Sequence, residues 1–238
     1  MRRIIPGGIA LLLVFMLSPL AEAHHLWVVR SGDYFRVLRG LAPEQIHPYE
    51  PVRVADIWAI DAGGRALAVR RVDEGQGVRF TLDGEPAMVA VTCEWGERVN
   101  TPEGKKLISK RQAIEKGLQV QSAFGSTQYS KTYFTLAANW GKPMGAVLEI
   151  LPLAAPEGLK PGDALAIQVL YEGAPLAGCS LHVGRDAAVL KTDSNGIAHV
   201  ALQKEGLQVI TAIHNVPVSG HPEIDYRQIM AFINFTLP

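Results

Sequence analysis

The sequence predicts an all-β protein with two β-sandwich domains in tandem. Short runs rich in valine, isoleucine and aromatic residues alternate apolar and polar positions with a period of two, as expected for strands with one buried face. The 238 residues include 23 glycines and 15 prolines, which favours many short elements joined by turns. Neither βα alternation nor a long heptad repeat occurs. These observations favour antiparallel sheets over a helical bundle or a parallel α/β fold.

The segment 1–23 has the pattern of a secretory signal peptide. Arg2 and Arg3 precede an apolar run, and Ala21 and Ala23 place small residues at the recognition positions of a signal peptidase. An uncleaved membrane anchor is the alternative interpretation, but the run is short for a permanent span, and no later stretch reaches about 18 consecutive apolar residues. We therefore expect an exported chain, periplasmic or otherwise secreted, that begins at His24 and has no membrane span.

The segment 24–145 is predicted to form an N-terminal β-rich domain. Turns at 62–64 and 83–86 separate its strands at the spacing of an antiparallel sheet. Residues 100–117 interrupt the alternation with charged side chains, which indicates a loop with one short helix. The strands predicted in this segment are Leu26–Arg30, Tyr34–Arg39, Val52–Ile60, Ala66–Val72, Gly77–Leu82, Ala87–Glu94 and Gln128–Ala138.

The segment 146–238 is predicted to form a second β-sandwich, after a domain boundary within residues 140–145. Its turns combine proline, which presets φ, with glycine, which supplies a positive φ. About seven short strands in about ninety residues are typical of a sandwich with Greek-key character. The predicted strands are Val147–Leu153, Ala164–Tyr171, Ser180–Gly184, Ala187–Lys191, Ile197–Leu202, Leu207–His214 and Gln228–Leu237.

Charge and motifs argue against several classes of function. The 23 basic and 23 acidic residues give a formal net charge of +0, which provides no long-range attraction for nucleic acid. The sequence contains no Gly-x-Ser-x-Gly, His-Glu-x-x-His or Cys-x-x-Cys motif. We therefore expect neither a nucleic-acid-binding module nor an enzyme.

Cys93 and Cys179 allow one disulfide in an exported protein, but two separate buried thiols fit the sequence equally well.

His24 is the strongest candidate for a metal ligand. After cleavage it carries a free α-amine with a pKa of about 7.7–8.0, which loses its proton readily to a metal. This amine and the imidazole Nδ1 of the same residue form a chelate ring that suits Ni(II), Co(II) or Cu(II). His25 points the opposite way if the segment is a strand, so His214 and His221, which flank a loop, are the more natural partners. We expect a metal site drawn from His24, His25, His214 and His221.

The remaining histidines are weaker candidates. His182 and His199 lie inside strand patterns, where an outward or hydrogen-bonded imidazole is the usual explanation. His47 lies in a loop, and its role is open. The pair His24 and His25 is also compatible with a processing site that binds no metal.

Several segments resemble the DUF4198 family. Residues 23–28 are similar to the mature start of that family, and Trp95 followed by Thr-Pro-Glu-Gly at 101–104 is similar to a second segment. The densest likeness is C-terminal, in 148–153, 159–163, 169–178 and 192–196. Members are exported proteins associated with nickel and cobalt uptake systems (NikK-like components). The resemblance implies Ni or Co binding, a membrane metal transporter as partner, and the N-terminal histidines and His214 as functional residues. The C-terminal turns also resemble transthyretin-like sandwiches, which implies a transthyretin/Ig-like fold for 146–238.

Three functions follow as hypotheses. The leading one is an extracytoplasmic accessory protein that captures Ni or Co ions, with Cu as a further option, and passes them to a membrane uptake system. The alternative is a metal-free envelope module that binds a protein or glycan partner through Trp95, Trp140 and the 100–117 loop. The third and weakest is a copper enzyme of the histidine-brace kind, for which the sequence supplies no specific feature.

Overall fold

The computed structural model confirms the predicted all-β class. It describes residues 24–135, 140–153, 158–185 and 188–237. The predicted signal peptide and the end of the predicted strand Gln128–Ala138 lie outside these residues. No helix in the described ranges is long and apolar enough to cross a membrane.

The described ranges contain eighteen strands and one α-helix, together with a short 3-10 turn at Pro51–Arg53. In chain order the elements are β1 (His25–Ser31), β2 (Tyr34–Leu41), β3 (Gln45–Ile46), β4 (Val54–Ile60), β5 (Ala66–Leu67), β6 (Val69–Glu74), β7 (Gly77–Leu82), β8 (Met88–Thr101), β9 (Gly104–Lys106), α1 (Lys110–Glu115), β10 (Ser122–Tyr133), β11 (Leu148–Pro152), β12 (Ala164–Tyr171), β13 (Ala174–Pro175), β14 (Ser180–Val183), β15 (Leu190–Lys191), β16 (Ile197–Ala201), β17 (Gly206–Pro217) and β18 (Tyr226–Leu237).

These strands form three sheets. Sheet I has the order β1-β2-β7-β6, with β3 paired to β2. Sheet II has the order β15-β14-β17-β18-β10-β8-β4-β5, with β9 paired to β8, and sheet III has the order β11-β12-β13, with β16 paired to β12. The short helix expected between residues 100 and 117 is α1, which begins at a capping box formed by Ser109 and Gln112.

Sheet II is the middle layer of the molecule. The alternation along β18 shows this, because Ala231 and Ile233 face a core shared with sheet III, whereas Met230 and Phe232 face a core shared with sheet I. Each face of sheet II therefore buries apolar side chains against another sheet. This explains why β18 is almost continuously apolar, as strands covered on both faces are.

One pairing joins the N-terminal and C-terminal segments. β10 and β18 run parallel from Phe124 beside Tyr226 to Thr132 beside Asn234, while the other strand pairs of the described residues are antiparallel. Sheet II thus contains strands from both sides of the predicted boundary at residues 145 and 146. Strands from the two segments therefore pair with each other, and the division of the chain into two domains remains a prediction.

The two cysteines are free and lie on opposite faces of sheet II. Cys93 belongs to the core beneath sheet I, and Cys179 to the core beneath sheet III. Burial raises the pKa of the Cys93 thiol to about 12 and that of the Cys179 thiol to about 11. The sequence allowed either a disulfide or two separate thiols, and in the structure the two cysteines are separate buried thiols.

Candidate functional site

β1 carries the N-terminal histidines and is fixed at both of its edges. One edge pairs with β2. At the other edge, the backbone N–H of Val28 donates to Thr132 Oγ1 at 3.0 Å, and the Leu26 carbonyl accepts from Ser130 Oγ at 2.7 Å and from Asn234 Nδ2 at 3.1 Å. Side chains of sheet II therefore satisfy the backbone groups that an edge strand would otherwise leave unpaired. The start of the strand, and with it His24, is held against sheet II.

His25 points into the protein. It is buried, its ring lies 6.4 Å from that of Phe232, and its Nδ1 accepts a hydrogen bond from the Ala42 backbone N–H at 3.3 Å. This bond ties β1 to the turn between β2 and β3. His25 therefore has a structural role in the arrangement seen here.

The turn between β2 and β3 brings His47 to His24. The His47 backbone N–H donates to the Arg39 carbonyl at 2.7 Å, and the His24 and His47 rings meet with their centroids 4.6 Å apart. Gly40 makes this turn possible, because a Cβ at that position would lie 1.9 Å from the Gln45 carbonyl oxygen. The sequence showed His47 only as a loop residue of open role, and it is the histidine that the fold places beside His24.

The predicted partners His214 and His221 lie elsewhere. His214 packs edge-on against Tyr171 of sheet III, with ring centroids 4.8 Å apart, so it faces the side of sheet II opposite to His24. His221 is exposed in the turn between β17 and β18, and its Nδ1 accepts from the Glu223 backbone N–H at 3.2 Å. The structure thus does not bring either residue to His24. Across the described residues, no group of three or more His, Cys, Asp or Glu side chains is arranged to hold a metal ion.

A cavity of about 90 Å³ adjoins His24. We call it the basic cavity, because Arg39 from β2, Arg98 from β8 and Lys105 from β9 all line it together with His24. Neutral polar side chains of Ser126, Gln128 and Gln228 contribute to the same wall. Strands of sheets I and II therefore supply a concentrated group of cationic side chains.

Arg98 reaches the basic cavity because β8 contains a bulge. The register with β10 shifts between Ser126 and Thr127, opposite Gly96, whose φ is +71°. Before the bulge, Cys93 faces sheet I; after it, Arg98 pairs with Phe124 and lines the cavity. Because of this one extra residue, the even-numbered Arg98 lies on the same face of β8 as the odd-numbered Cys93.

The basic side chains influence one another strongly. Burial, followed by the charges of Arg39, His47, Arg98 and Lys105, lowers the pKa of His24 to about 4. Burial and the Arg98 charge lower the pKa of Arg39 to about 10, and the pKa values of Arg98 and Lys105 are lowered as well, first by burial and then by neighbouring arginines. His24 is therefore neutral at physiological pH, with a nitrogen lone pair available.

Comparison with known proteins identifies the family. The family described as "Domain of unknown function (DUF4198)" matches residues 21–216. The chain belongs to the DUF4198 family. This DUF4198 chain is also 23% identical over 215 residues to an "Uncharacterized protein" of Haemophilus influenzae (strain ATCC 51907 / DSM 11121 / KW20 / Rd), covering 90% of this chain and 91% of that protein.

A solved structure, the "D0-D1 domain of Intimin", is similar at 13% identity, covering 87% of the DUF4198 chain and 91% of its own chain. Its TM-score of 0.23 is too low to relate the two folds.

Of the two tryptophans proposed as a partner surface, Trp95 is buried and Trp140 is partly buried. Trp95 is buried against Tyr49, and the Arg39 guanidinium lies 4.4 Å from its ring centroid. Trp140 is partly buried and contacts Tyr133 and Phe235 in the core beneath sheet III. Trp95 therefore belongs to the core, and Trp140 packs against one, since a large apolar ring is stabilised by burial.

Proposed function

We propose that this protein is an extracytoplasmic binding protein, not an enzyme, that captures Ni(II) or Co(II) for a membrane uptake system. Cu(II) would suit the same nitrogen ligands. The observation that carries the proposal is the contact between His24 and His47, whose ring centroids are 4.6 Å apart. Cleavage between residues 23 and 24 would add the α-amine of His24 to these two imidazoles. The amine and the two imidazoles would then offer three nitrogen ligands near one another.

The low pKa of His24 supports this role. Metal binding requires a neutral imidazole, and protons compete with metal wherever the pKa lies near the working pH. With a pKa of about 4, the His24 imidazole meets little proton competition at pH 5 to 8. The neighbouring cations have two opposed effects, because they keep the imidazole neutral but also repel a divalent cation. The chelate formed by the amine and the imidazole has to overcome that repulsion.

The sharpest test compares two forms of the N-terminus. We would titrate Ni(II) into protein that begins at His24 and into protein with one additional N-terminal residue, using isothermal titration calorimetry in chelator-treated buffer. We expect the extended form to bind about tenfold more weakly or worse, since a tenfold change corresponds to only about 1.4 kcal/mol. Equal affinities of the two forms for Ni(II) would show that the α-amine of His24 is not a ligand and would overturn the proposal.

A second comparison tests His47. The H47Q variant should lose affinity for Ni(II), because it removes one of the two imidazoles. The matched control is H199Q, which changes an exposed histidine on β16 of sheet III. We expect H199Q to bind as the wild type does. A loss of affinity in H199Q but not in H47Q would locate metal binding away from the N-terminus.

The alternative function, a metal-free module for a protein or glycan partner, is favoured by a different surface. Trp58 is 39% exposed and lines a cavity of about 380 Å³ between sheets II and III, beside Tyr129 and residues 144–149. An exposed aromatic ring at the mouth of a cavity is suited to stacking against a sugar or an apolar side chain. This second function would be supported if neither the wild type nor a W58A variant binds Ni(II), and if W58A keeps the fold but loses an envelope partner that the wild type retains.

A further inference from the structure

The basic cavity contains positive charges without a counter-charge. Among the ion pairs of the described residues, none involves Arg39, Arg98 or Lys105. Buried Nε atoms of Arg39 and Arg98 also have no hydrogen-bond partner there. Arg39 and Arg98 are half-buried, whereas Lys105 lies at the exposed side of the cavity. Half-buried cations are normally paired, since desolvation of an unpaired charge is costly.

Other arginines of the described residues differ from these cations. Six arginines between residues 30 and 79, most of them exposed, form ion pairs with carboxylates. These pairs are Arg30–Glu85, Arg36–Glu74, Arg53–Glu50, Arg65–Asp61, Arg71–Asp73 and Arg79–Glu74. In the basic cavity, by contrast, the cations face neutral amides and a hydroxyl of Gln128, Gln228 and Ser126. The described residues that line the basic cavity include no carboxylate.

We propose that the basic cavity binds a small oxyanion, either a phosphate or a carboxylate group. Guanidinium groups recognise both through paired, charge-assisted hydrogen bonds, and Arg39 and Arg98 line the cavity with no carboxylate partner among the described residues. A cavity of about 90 Å³ is far below the ~300–1,000 Å³ of pockets for drug-sized ligands. It therefore accommodates one anionic group and not a large molecule.

The anion site has a consequence for metal binding that rests on the proposed function. An anion in the basic cavity offsets the positive charges around His24 and so strengthens the binding of a divalent cation there. Because such coupling is reciprocal, bound Ni(II) strengthens anion binding by the same factor. The cargo of the protein would then be a metal ion together with a small anion.

The anion site is tested without metal. We would titrate inorganic phosphate and, separately, acetate into the whole protein in metal-free Tris buffer and follow heat release. Saturable binding is expected, and the two arms show which oxyanion the cavity prefers. The R98Q and K105Q variants should bind about tenfold more weakly or worse. The control R70Q, which changes an exposed arginine on β6, should bind as the wild type does.

Three results would overturn the anion site. These are no saturable binding of either anion, equal losses in R98Q and R70Q, and a thermal midpoint of R98Q well below that of the wild type in anion-free buffer. The last would show that Arg98 is needed for folding, whereas relief of repulsion should leave the midpoint unchanged or higher. Failure of the Ni(II) titrations leaves this test intact, because no metal is present in it.

Discussion

The buried ion pair between Lys131 and Glu149 provides a quantitative test of how sheets II and III are joined. Lys131 Nζ lies 2.9 Å from Glu149 Oε1, and the two side chains are only 8% and 3% exposed. Glu149 also accepts from the backbone N–H groups of Met144 at 2.6 Å and Gly145 at 3.3 Å. The carboxylate therefore links β10 in sheet II to β11 in sheet III and to the segment between them.

The size of the effect follows from the distance. At an effective dielectric constant of about 20, opposite charges 2.9 Å apart attract by about 6 kcal/mol. Desolvation offsets much of this gain, and it is the larger influence on Lys131, whose pKa is lowered despite the neighbouring carboxylate. Either K131M or E149Q leaves one charge buried without its partner. We expect each single variant to lose about 3–5 kcal/mol of unfolding free energy.

The double variant separates charge from packing. K131M/E149Q buries no charge, so it should be more stable than the sum of the single losses predicts, by about 2 kcal/mol or more. Urea unfolding followed by tryptophan fluorescence gives the four free energies of the cycle. The exposed pair Arg30–Glu85 is the control, with a coupling below about 1 kcal/mol. Additive losses at Lys131 and Glu149 would refute the view that their charges interact across the two sheets.

Three further predictions concern the site and the cores. The His24 imidazole should titrate near pH 4 by NMR, and R98Q should raise this pKa by removing a positive charge. The pKa of His24 in the folded protein lies below the 6.5 of the unfolded chain. The contribution of His24 to the free energy of unfolding is therefore fully present above pH 6.5 and is lost as the pH falls towards 4. G40A should cost about 1–3 kcal/mol in thermal or urea unfolding and weaken Ni(II) binding, because its Cβ would collide with the Gln45 carbonyl in the turn that holds His47. Cys93 and Cys179 should react with a thiol reagent only after denaturation, when two free thiols should be counted.

The strands were predictable from the sequence where alternation and turns were both clear. The predicted Tyr34–Arg39 and Ala164–Tyr171 closely match β2 and β12. The prediction ended one strand at Glu94, but β8 continues to Thr101. The run Gly96-Glu97-Arg98, which lies at the bulge opposite Ser126, interrupts the apolar alternation, so a period-two pattern does not detect the second half of the strand.

The partner of His24 was not predictable from spacing. The choice between His47 and His214 depends on which face of sheet II each side chain occupies. That face is decided by strand pairings between residues about one hundred positions apart, such as the parallel pair of β10 and β18. Likewise, Arg39, Arg98 and Lys105 carry no motif, and they meet only because sheets I and II pack together. Local sequence patterns predict individual strands, whereas the residues around His24 come together only through the packing of the sheets.

The position of the N-terminus follows from the anchoring of β1. Ser130, Thr132 and Asn234 hold this strand through its backbone, so its register does not depend on the side chain at the first residue. One additional residue would therefore leave His24 in place and move the free amine outward by about 3.4 Å, the rise per residue of a strand. The imidazoles of His24 and His47 would remain 4.6 Å apart between their centroids, but the chelate ring would be lost. Cleavage at one particular bond thus becomes part of the proposed metal site.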